Sequence, residues 1–327
     1  MITSPLAVVT GASGFVGSHI VDELLRQGAR VRAVVRGTSS RRWLEGKGIE
    51  LADARLDDAG ALARALEGAD WIVHAAGLTS ARNAAEYHEA NVIGTERVLR
   101  AADGASVRRF LYVSSQAAAG PSLTGLPVNE EQHPHPVSVY GESKLRGEQL
   151  VRMAADRLPI TVIRPPAVYG PRDAAILKAF LAGKRHIEPV LRKRGRFSIV
   201  HAADLAAAVH AALTKEEAVG HIFFACEPDV TDYAELGAAV REALGTWTMR
   251  VEIPHGALVA LATIAEAWGK ASGRPPLLTR EKLREISAGD WICSSRKIRE
   301  RLGWTPRIGL FDGMRSTAEW YREVGWL

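Results

Sequence analysis

Short apolar runs alternate with helical patterns along the first half of the chain. The apolar runs are five or six residues long, as buried strands are, and predict strands at 6–10, 30–35, 49–53, 69–74, 109–114 and 160–164. The first helix is predicted from Val16, because Val16, Ile20 and Leu24 share one face, and Gly28 ends it. Further helices are predicted over 60–67, 83–103 and 137–157. Such alternation is typical of a parallel sheet covered on both faces.

The alternation loosens after about residue 164, where Pro165-Pro166 and Gly170-Pro171 break it. A length of 327 residues predicts about two domains. We therefore predict an α/β fold with a doubly wound parallel sheet in a first domain, residues 1–170. A smaller C-terminal α/β domain is predicted over 171–327, and the segment at about 197–225 is predicted to return to the sheet.

Composition excludes several classes of protein. Charged residues at 24% and hydrophobic residues at 47% exclude a mainly disordered chain. Two cysteines, Cys226 and Cys293, exclude a disulfide scaffold and a cysteine-based zinc site, and no metal is predicted. The net charge of +5 is dispersed, which favours anionic small ligands over nucleic acid. No signal peptide is apparent, and the apolar stretch 256–265 is shorter than the ~20 residues of a spanning helix. The sequence thus predicts a cytoplasmic protein without an integral membrane segment.

A glycine-rich turn, Gly11-Ala-Ser-Gly14-Phe-Val-Gly17, lies between the first strand and the first helix. Glycine there permits a tight turn, close approach of a pyrophosphate and close packing of helix on strand. The free N–H groups at the helix start then face the phosphates. The flanking strand and helix favour a dinucleotide site over a merely structural turn. Residues 1–170 are therefore interpreted as a dinucleotide-binding Rossmann domain, and residues 171–327 as the substrate-binding domain. The predicted contacts of this turn are Gly11, Ser13, Gly14, Phe15, Val16 and Gly17.

The end of the second strand predicts which nicotinamide cofactor binds. A carboxylate there would hold the adenosine ribose, whereas an arginine favours a 2′-phosphate. Val35 stands at the place of the carboxylate, and Arg36 and Ser39 follow it. We therefore predict that NADP(H) is favoured over NAD(H). The alternative is that Arg36 only stacks on the adenine.

A tyrosine and a lysine four residues apart, Tyr140 and Lys144, share one helical face. A neighbouring ammonium favours the tyrosinate, so the pKa of the phenol is expected to fall toward working pH. Ser114 and Ser115 end the fifth strand, at the carboxyl edge where ligands bind in open α/β sheets. A serine hydroxyl there can hold a substrate oxygen while the tyrosine moves the proton.

Seven motifs in one order give the chain a resemblance to the extended short-chain dehydrogenases/reductases, of the NAD-dependent epimerase/dehydratase group. They are Thr10-Gly11-Ala-Ser-Gly14-Phe-Val-Gly17, His74-Ala75-Ala76-Gly77, Asn91-Val-Ile-Gly94-Thr95, Val113-Ser114-Ser115, Tyr140-Gly-Glu-Ser-Lys144, Arg164-Pro165-Pro166-Ala-Val-Tyr169-Gly170-Pro171 and Val200-His201-Ala-Ala-Asp204. The end of the second strand and the stretch 275–306 are similar to the dihydroflavonol-reductase-like and 3β-hydroxysteroid-dehydrogenase-like branch.

The resemblance implies roles for individual residues. Tyr140 would be the general acid/base, Lys144 would bind the nicotinamide ribose and tune the tyrosine, and Ser115 would orient the substrate oxygen. Asn91 would support the proton relay. The further cofactor contacts that the resemblance implies are Leu56, Ala75, Ala76, Gly77, Ser114, Tyr140, Lys144, Pro166 and Val168. A homodimer through the helices around 83–103 and 137–157 is also implied.

Two departures from the family pattern bear on the ligands. Arg55 stands where an aspartate usually meets the adenine, and Phe197 stands where nucleotide-sugar enzymes carry an arginine that anchors the diphosphate. The predicted function is therefore an NAD(P)(H)-dependent oxidoreductase that transfers hydride at a secondary alcohol or ketone carbon of a small sterol- or flavonoid-like substrate. A nucleotide-sugar epimerase or dehydratase is the alternative. A redox sensor is disfavoured, because Tyr140 and Lys144 are both present.

Two segments keep more than one interpretation. The basic segment 184–196 either binds an acidic substrate group or is a solvated loop. The apolar helix predicted at 256–270 is interpreted as a helix packed in the smaller domain, in preference to a pocket wall or a membrane contact.

Overall fold

The computed structural model describes residues 4–191, 195–272 and 279–327. Its strands are β1 Leu6–Thr10, β2 Arg30–Val35, β3 Glu50–Asp53, β4 Trp71–His74, β5 Arg109–Val113, β6 Ile160–Arg164, β7 Ala167–Tyr169, β8 Ile187–Leu191, β9 Arg196–Phe197, β10 Ile199–His201, β11 Ile222–Phe224, β12 Thr231–Asp232 and β13 Met249–Ile253. Its helices are α1 Phe15–Arg26, α2 Ala59–Leu66, α3 Ala84–His88, α4 Gly94–Asp103, α5 Gln116–Ala119, α6 Val139–Met153, α7 Leu177–Lys184, α8 Ala202–Thr214, α9 Tyr233–Leu244, α10 His255–Ser272, α11 Arg280–Ser287, α12 Arg296–Leu302 and α13 Leu310–Glu323.

Seven of these strands form one parallel sheet in the order β11-β6-β5-β4-β1-β2-β3. The strand order reverses between β1 and β4, as in doubly wound nucleotide-binding folds, where the reversal opens a crevice at the carboxyl edge. The predicted fold class is therefore confirmed. β11 pairs with β6 at the sheet edge and comes from the segment predicted to return there. The division into domains at residue 170 stays a prediction.

Successive residues of each central strand enter two different cores. Ala7 and Val9 of β1 face the core covered by α1 and α8. Leu6 and Val8 face the opposite core, covered by α2, α4 and α6. Burial on both faces explains why these strands are continuous apolar runs without polar alternation.

The C-terminal part contains small two-stranded ribbons, β10-β7, β12-β9 and β13-β8. A third core lies between α7, α9 and α13 and includes Phe180, Val240 and Met314. The basic segment 184–196 contains β8 and the start of β9, and its residues 192–194 lie outside the described residues. Within the described ranges, no helix has the length and apolar character needed to cross a membrane.

A tryptophan cluster joins the loop after β2 to the end of the chain. The Trp43 ring lies 5.3 Å from that of Trp320 and 6.2 Å from that of Trp326, between ring centroids. The Arg42 guanidinium lies 4.1 Å from the centre of the Trp43 ring. This loop also carries Arg36 and Ser39, so the predicted phosphate contacts are tied to α13 through packed aromatic rings.

Candidate active site and cofactor cleft

The glycine turn after β1 leaves no room for side chains at two of its positions. Gly11 has a φ of +72°, and a Cβ there would lie 2.6 Å from the Ala76 nitrogen. A Cβ on Gly17 would collide with the Gly11 carbonyl oxygen. The Gly14 N–H donates to that same carbonyl at 3.0 Å, which closes the turn. The backbone therefore lies bare at the start of α1, as close approach of a pyrophosphate requires.

A cleft of about 380 Å³ opens beside this turn at the carboxyl edge of the sheet. Nine of the predicted cofactor contacts line it: Gly11, Ser13, Gly14, Arg36, Ser39, Leu56, Ala75, Ala76 and Gly77. Sequence reasoning missed the wall opposite the turn, formed by Ala54, Glu89, Ala90, Gly94 and Arg97. The volume and the bare glycine backbone fit the adenosine and pyrophosphate of a nicotinamide dinucleotide.

The ribose end of the cleft carries cationic side chains. Val35 is buried at the end of β2, and the exposed Arg36 side chain follows it. The Ser39 hydroxyl accepts from the Arg36 N–H at 3.2 Å, which holds the two residues together. The nearest acid on the neighbouring strand is Asp53, and its carboxylate lies 4.0 Å from the Arg41 guanidinium.

Two ion pairs lie at the adenine end of the cleft. Arg55 donates to both carboxylate oxygens of Asp57, at 2.8 and 2.7 Å. This hydrogen bonding lowers the pKa of Asp57 to about 2. Arg97 pairs with Glu89 at 2.6 Å on the other wall. Arg55 stands where the family usually carries an aspartate, and its charge is therefore neutralised by Asp57.

Ser115 and Tyr140 meet where α5 packs against α6. Ser115 caps α5 by accepting from the Ala117 N–H at 3.1 Å, and its hydroxyl lies beside the Tyr140 phenol. The two helices are so close that a Cβ on Gly141 would collide with the Ala117 carbonyl oxygen. Gly141 was missed as a site residue, although it stands beside the tyrosine in the sequence motif.

The pKa of Tyr140 differs from the sequence expectation. Burial raises it to about 12, while the neighbouring Ser115 hydroxyl opposes the rise. The expected lowering by Lys144 is wrong for this structure, because the Lys144 Nζ donates to the Val113 carbonyl at 2.8 Å and lies 4.3 Å from the centre of the Tyr112 ring. Tyr140 is therefore a neutral phenol at neutral pH, ready to donate a proton.

Lys144 lies on the same helix as Tyr140, one turn further on, and is buried. Burial lowers its pKa to about 7, and the Glu148 carboxylate one turn beyond opposes that fall. Protonated and neutral forms of the Lys144 amine are therefore both populated near neutral pH.

Asn91 lies in a π-helical turn, Glu89–Ile93, that interrupts the single helix predicted over 83–103. Its side-chain amide donates to the Leu78 carbonyl at 3.0 Å and to the Ser143 hydroxyl at 2.9 Å, and its oxygen accepts from the Leu78 N–H at 2.8 Å. Ser143 in turn donates to the Tyr140 carbonyl at 2.7 Å. Asn91 therefore ties the loop after β4 to the catalytic helix. A Cβ on Gly147 would lie 2.5 Å from the Asn91 carbonyl oxygen, so this contact also depends on glycine.

His74 connects the glycine turn to Asn91 through hydrogen bonds. Thr95 donates to the Asn91 carbonyl at 2.8 Å, so its oxygen accepts from the His74 Nε2–H at 3.0 Å. The unprotonated Nδ1 then accepts from the Thr10 hydroxyl at 2.7 Å, and that hydroxyl accepts from the Ala76 N–H at 3.3 Å. Complete burial lowers the pKa of His74 to about 3, which agrees with this neutral tautomer.

Ser114 points away from Ser115, into the protein. Its hydroxyl donates to the buried Glu148 carboxylate at 2.9 Å, and Arg164 donates to the same carboxylate at 2.9 and 2.5 Å. Pro166 and Val168 are partly exposed beyond β6, at the carboxyl edge of the sheet. The cofactor contacts predicted for these residues, for Tyr140 and Lys144, and for Phe15, Val16 and Gly17 of α1 stay predictions, since none of them lines the cleft.

The position of the sugar-diphosphate anchor is occupied by an aromatic residue. Phe197 packs against Tyr233, with ring centroids 5.0 Å apart. Arg196 donates to Asp290 at 2.9 and 2.6 Å and to the Gly125 carbonyl at 2.8 Å, so this guanidinium is held outside the cleft. Within the described ranges, no cluster of three or more His, Cys, Asp and Glu side chains is placed to hold a metal ion.

Comparison with known proteins identifies the family. Residues 7–226 match the model of the NAD dependent epimerase/dehydratase family. The chain is 31% identical over 324 residues to the ceramide reductase of Caulobacter vibrioides, covering 98% of this chain and 96% of that protein. It is 30% identical to the 4-hydroxy-2-methyl-3-oxo-4-farnesyl-3,4-dihydroquinoline-1-oxide ketoreductase of Stigmatella aurantiaca, covering 94% and 93%.

Among solved structures, MoeE5 in complex with UDP-glucuronic acid and NAD superposes with a TM-score of 0.75 at 25% identity, over 97% of this chain and 99% of that one. The family match extends over the sheet, the glycine turn and the serine, tyrosine and lysine described above. The chain therefore belongs to the NAD dependent epimerase/dehydratase family, and it is a nicotinamide-dinucleotide-dependent oxidoreductase or epimerase.

Proposed function

We propose that the protein is an NADP(H)-dependent reductase of a ketone on an apolar, lipid-like substrate. The observation that carries this proposal is the buried Tyr140 phenol, which lies beside the Ser115 hydroxyl at the carboxyl edge of the sheet and is neutral at neutral pH. Reduction of a ketone needs a proton donor beside the carbonyl oxygen, and a phenol with a pKa of about 12 stays protonated at working pH.

The nicotinamide dinucleotide, when bound, would supply the hydride that forms the new C–H bond at the carbonyl carbon. The carbonyl π electrons move to oxygen, and the Tyr140 hydroxyl gives its proton to that oxygen. Ser115 holds the same oxygen by a hydrogen bond. In this proposal the Lys144 ammonium, when protonated, holds the nicotinamide ribose, whereas its effect on the phenol is small because its Nζ is bound to the Val113 carbonyl. Asn91 and Ser143 fix the start of α6, so that the phenol keeps its position.

The choice of NADP(H) rests on the loop after β2. The exposed Arg36 side chain forms no ion pair with another described residue. The Ser39 hydroxyl, which accepts from the Arg36 N–H, lies beside it. The buried Val35 offers no carboxylate to the ribose. A phosphate there gains a charge-assisted hydrogen bond, and the nearby Asp53 carboxylate lies 4.0 Å from the Arg41 guanidinium. Stacking of Arg36 on the adenine remains the alternative.

The proposed substrate class rests on Phe197, which stands where nucleotide-sugar enzymes carry an arginine that binds the diphosphate. Phe197 and Tyr233 make an aromatic contact at the anchor position, and the neighbouring arginine is bound to Asp290. An apolar group is therefore favoured over a sugar diphosphate. The named reactions of the two curated relatives also concern a lipid and a farnesylated ring, which agrees with a sterol- or flavonoid-like substrate.

Cofactor stoichiometry tests the proposal against the epimerase alternative, which the solved complex with a nucleotide sugar favours. NADPH oxidation is followed by absorbance with a panel of apolar ketones and, separately, with UDP-sugars. We expect one NADPH consumed per ketone reduced. Conversion of a UDP-sugar without net loss of NADPH would contradict the reductase proposal.

Two further predictions belong to the same proposal. The first is the homodimer that the family resemblance implies, through α3, α4 and α6, which light scattering after size-exclusion chromatography tests. The second is the cytoplasmic location predicted from the sequence, which cell fractionation tests.

A further inference from the structure

Helix α10 turns an apolar face to the solvent. Leu261 is 53% exposed, Ile264 66% and Trp268 66%. These residues recur at three- and four-residue spacing and therefore lie along one side of the helix. Glu266 is the one charged residue between positions 256 and 268, and it pairs with Arg280 at 3.0 Å. A surface helix normally turns its charged residues to the water, so the face of α10 has the character of a covered surface.

The β8–β13 ribbon, which Pro254 joins to α10, has a second such face. Ile187 and Met249 are cross-strand partners, and Met249 is 60% exposed. Trp247, just before β13, is 67% exposed. On the opposite face, Glu188 of β8 accepts from Thr248 at 2.9 Å and pairs with Arg241 of α9, whereas Arg250 and Glu252 of β13 are exposed. The ribbon thus packs on the protein through β8, and its other face exposes apolar side chains.

Basic residues border the ribbon. Lys184 and Arg185 are exposed immediately before β8, and neither forms an ion pair with another described residue. His186 stacks on Trp247 with ring centroids 4.6 Å apart. Apolar side chains, tryptophans at the margin and uncompensated cations together are the composition of a surface that lies in the headgroup region of an anionic bilayer.

We propose that the exposed faces of α10 and of the β8–β13 ribbon dock this protein on the surface of an anionic phospholipid bilayer. The apolar side chains enter the headgroup–acyl boundary, and Lys184 and Arg185 face the lipid phosphates. A second copy is a poorer occupant, because the same cations on both copies would face each other across a two-fold interface.

The docking faces lie next to the active site. α10 packs on α11, and the Glu281 carboxylate of α11 accepts from the Val139 N–H at the start of the catalytic helix. Tyr140 is the next residue along that helix. Docking therefore brings the side of the protein that carries the catalytic tyrosine toward the bilayer, where an apolar substrate would be dissolved.

Vesicle co-sedimentation tests the proposal and needs neither cofactor nor substrate, so its outcome is independent of the proposed reaction. The probes are vesicles of phosphatidylcholine alone and of phosphatidylcholine mixed with phosphatidylglycerol. Wild-type protein should bind the mixed vesicles. Leu261→Gln, Ile264→Gln and Trp268→Gln together should lower the partition coefficient about tenfold or more, because three apolar side chains no longer leave water. Lys184→Glu with Arg185→Glu should weaken binding to the mixed vesicles alone.

The control is Leu123→Gln with Met153→Gln, since these exposed apolar residues lie on other elements. This variant should bind as the wild type does. Where circular dichroism shows that the triple variant is not folded, Trp247→Gln with Met249→Gln makes the same test. The proposal is overturned if wild-type protein binds neither vesicle at low salt, or if the control loses as much binding as the triple variant. It is also overturned if the triple variant only converts a dimer to a monomer in light scattering.

Discussion

Helices α6 and α10 meet their surroundings in opposite ways. A Cβ on Gly141 or Gly147 of α6 would collide with backbone or side-chain atoms of its neighbours, whereas a Cβ on Gly256 of α10 would meet open space. The close contacts of α6 hold the phenol of Tyr140 and the amine of Lys144 at fixed positions. The open side of α10 carries large apolar side chains that no described element covers. The comparison teaches that this fold packs the helix of Tyr140 and Lys144 closely, whereas large apolar side chains of α10 stay exposed.

The largest effect is expected on the closely packed side. Tyr140→Phe should lower kcat for ketone reduction by about 100- to 10,000-fold, because the proton donor is lost while the ring still fills its space. The dissociation constant of NADPH should stay unchanged, as measured by fluorescence titration. Tyr87→Phe is the matched control, since its ring lies 5.9 Å from that of Tyr140. Normal turnover by Tyr140→Phe would remove the phenol from the mechanism.

The second effect concerns the phosphate end of the cleft. Arg36→Ala should weaken NADPH binding by about ten- to hundredfold, with NADH little affected, because one charge-assisted hydrogen bond is lost. Val35→Asp should reverse the preference, since a carboxylate holds the ribose and repels the phosphate. Arg30→Ala, at the other end of β2, is the control and should bind both cofactors normally. Equal affinities of the wild type for the two cofactors would contradict the NADP(H) preference.

The third effect is a pH dependence set by Lys144. Because its pKa in the folded free enzyme is about 7, kcat/KM for NADPH should fall as the pH rises through that value and the ammonium is lost. Loss of this proton does not itself destabilise the fold. The unfolded lysine, with an ordinary pKa of 10.5, binds more protons than the folded one between pH 7 and 10.5, so this group makes the free energy of unfolding rise with pH there.

Lys144→Met checks this assignment. Its residual activity should be flat across pH 7, and its midpoint of thermal unfolding should rise less with pH than that of the wild type. A wild-type profile without a transition between pH 6 and 8 would contradict the assignment.

The smallest effect compares the two helices directly. Gly141→Ala should lower the free energy of unfolding by about 1–3 kcal/mol, because the added methyl group overlaps the Ala117 carbonyl. Gly256→Ala should raise it by up to about 1 kcal/mol, since alanine favours helix and nothing stands in its way. Urea unfolding measures both. A similar change in the two variants would show that the packing around α6 is less close than the structure has it.

Sequence patterns predicted the central sheet well, because β1, β2 and β6 are buried on both faces and their runs begin and end at turn residues. The glycine turn was equally predictable, because it directly follows β1 and leads into α1. Ala90 and Gly94 of the cleft were not predicted as contacts. They are distant from the glycine turn in the sequence, and only folding of the chain brings them to the same cleft.

The pKa of Tyr140 shows a different limit. Spacing of four residues correctly placed Tyr140 and Lys144 on one helix, but spacing alone does not show that the Val113 carbonyl binds the lysine. Nor does the spacing show that burial raises the pKa of the phenol by more than a nearby charge would lower it. Likewise, the apolar pattern of α10 predicted a helix, yet the pattern alone could not tell a packed face from an exposed one.

The tryptophan cluster beside the loop after β2 has a practical consequence for spectroscopy. Trp43 lies seven residues after Arg36, in the loop that carries the proposed phosphate contacts, and its ring is held by Trp320 and Trp326. Its emission overlaps the absorption of reduced nicotinamide, so energy transfer from this indole reports occupancy of the cleft without any added label. Comparing the quenching curves of wild-type protein and Trp43→Phe would separate the signal of this loop from that of the tryptophans near α10.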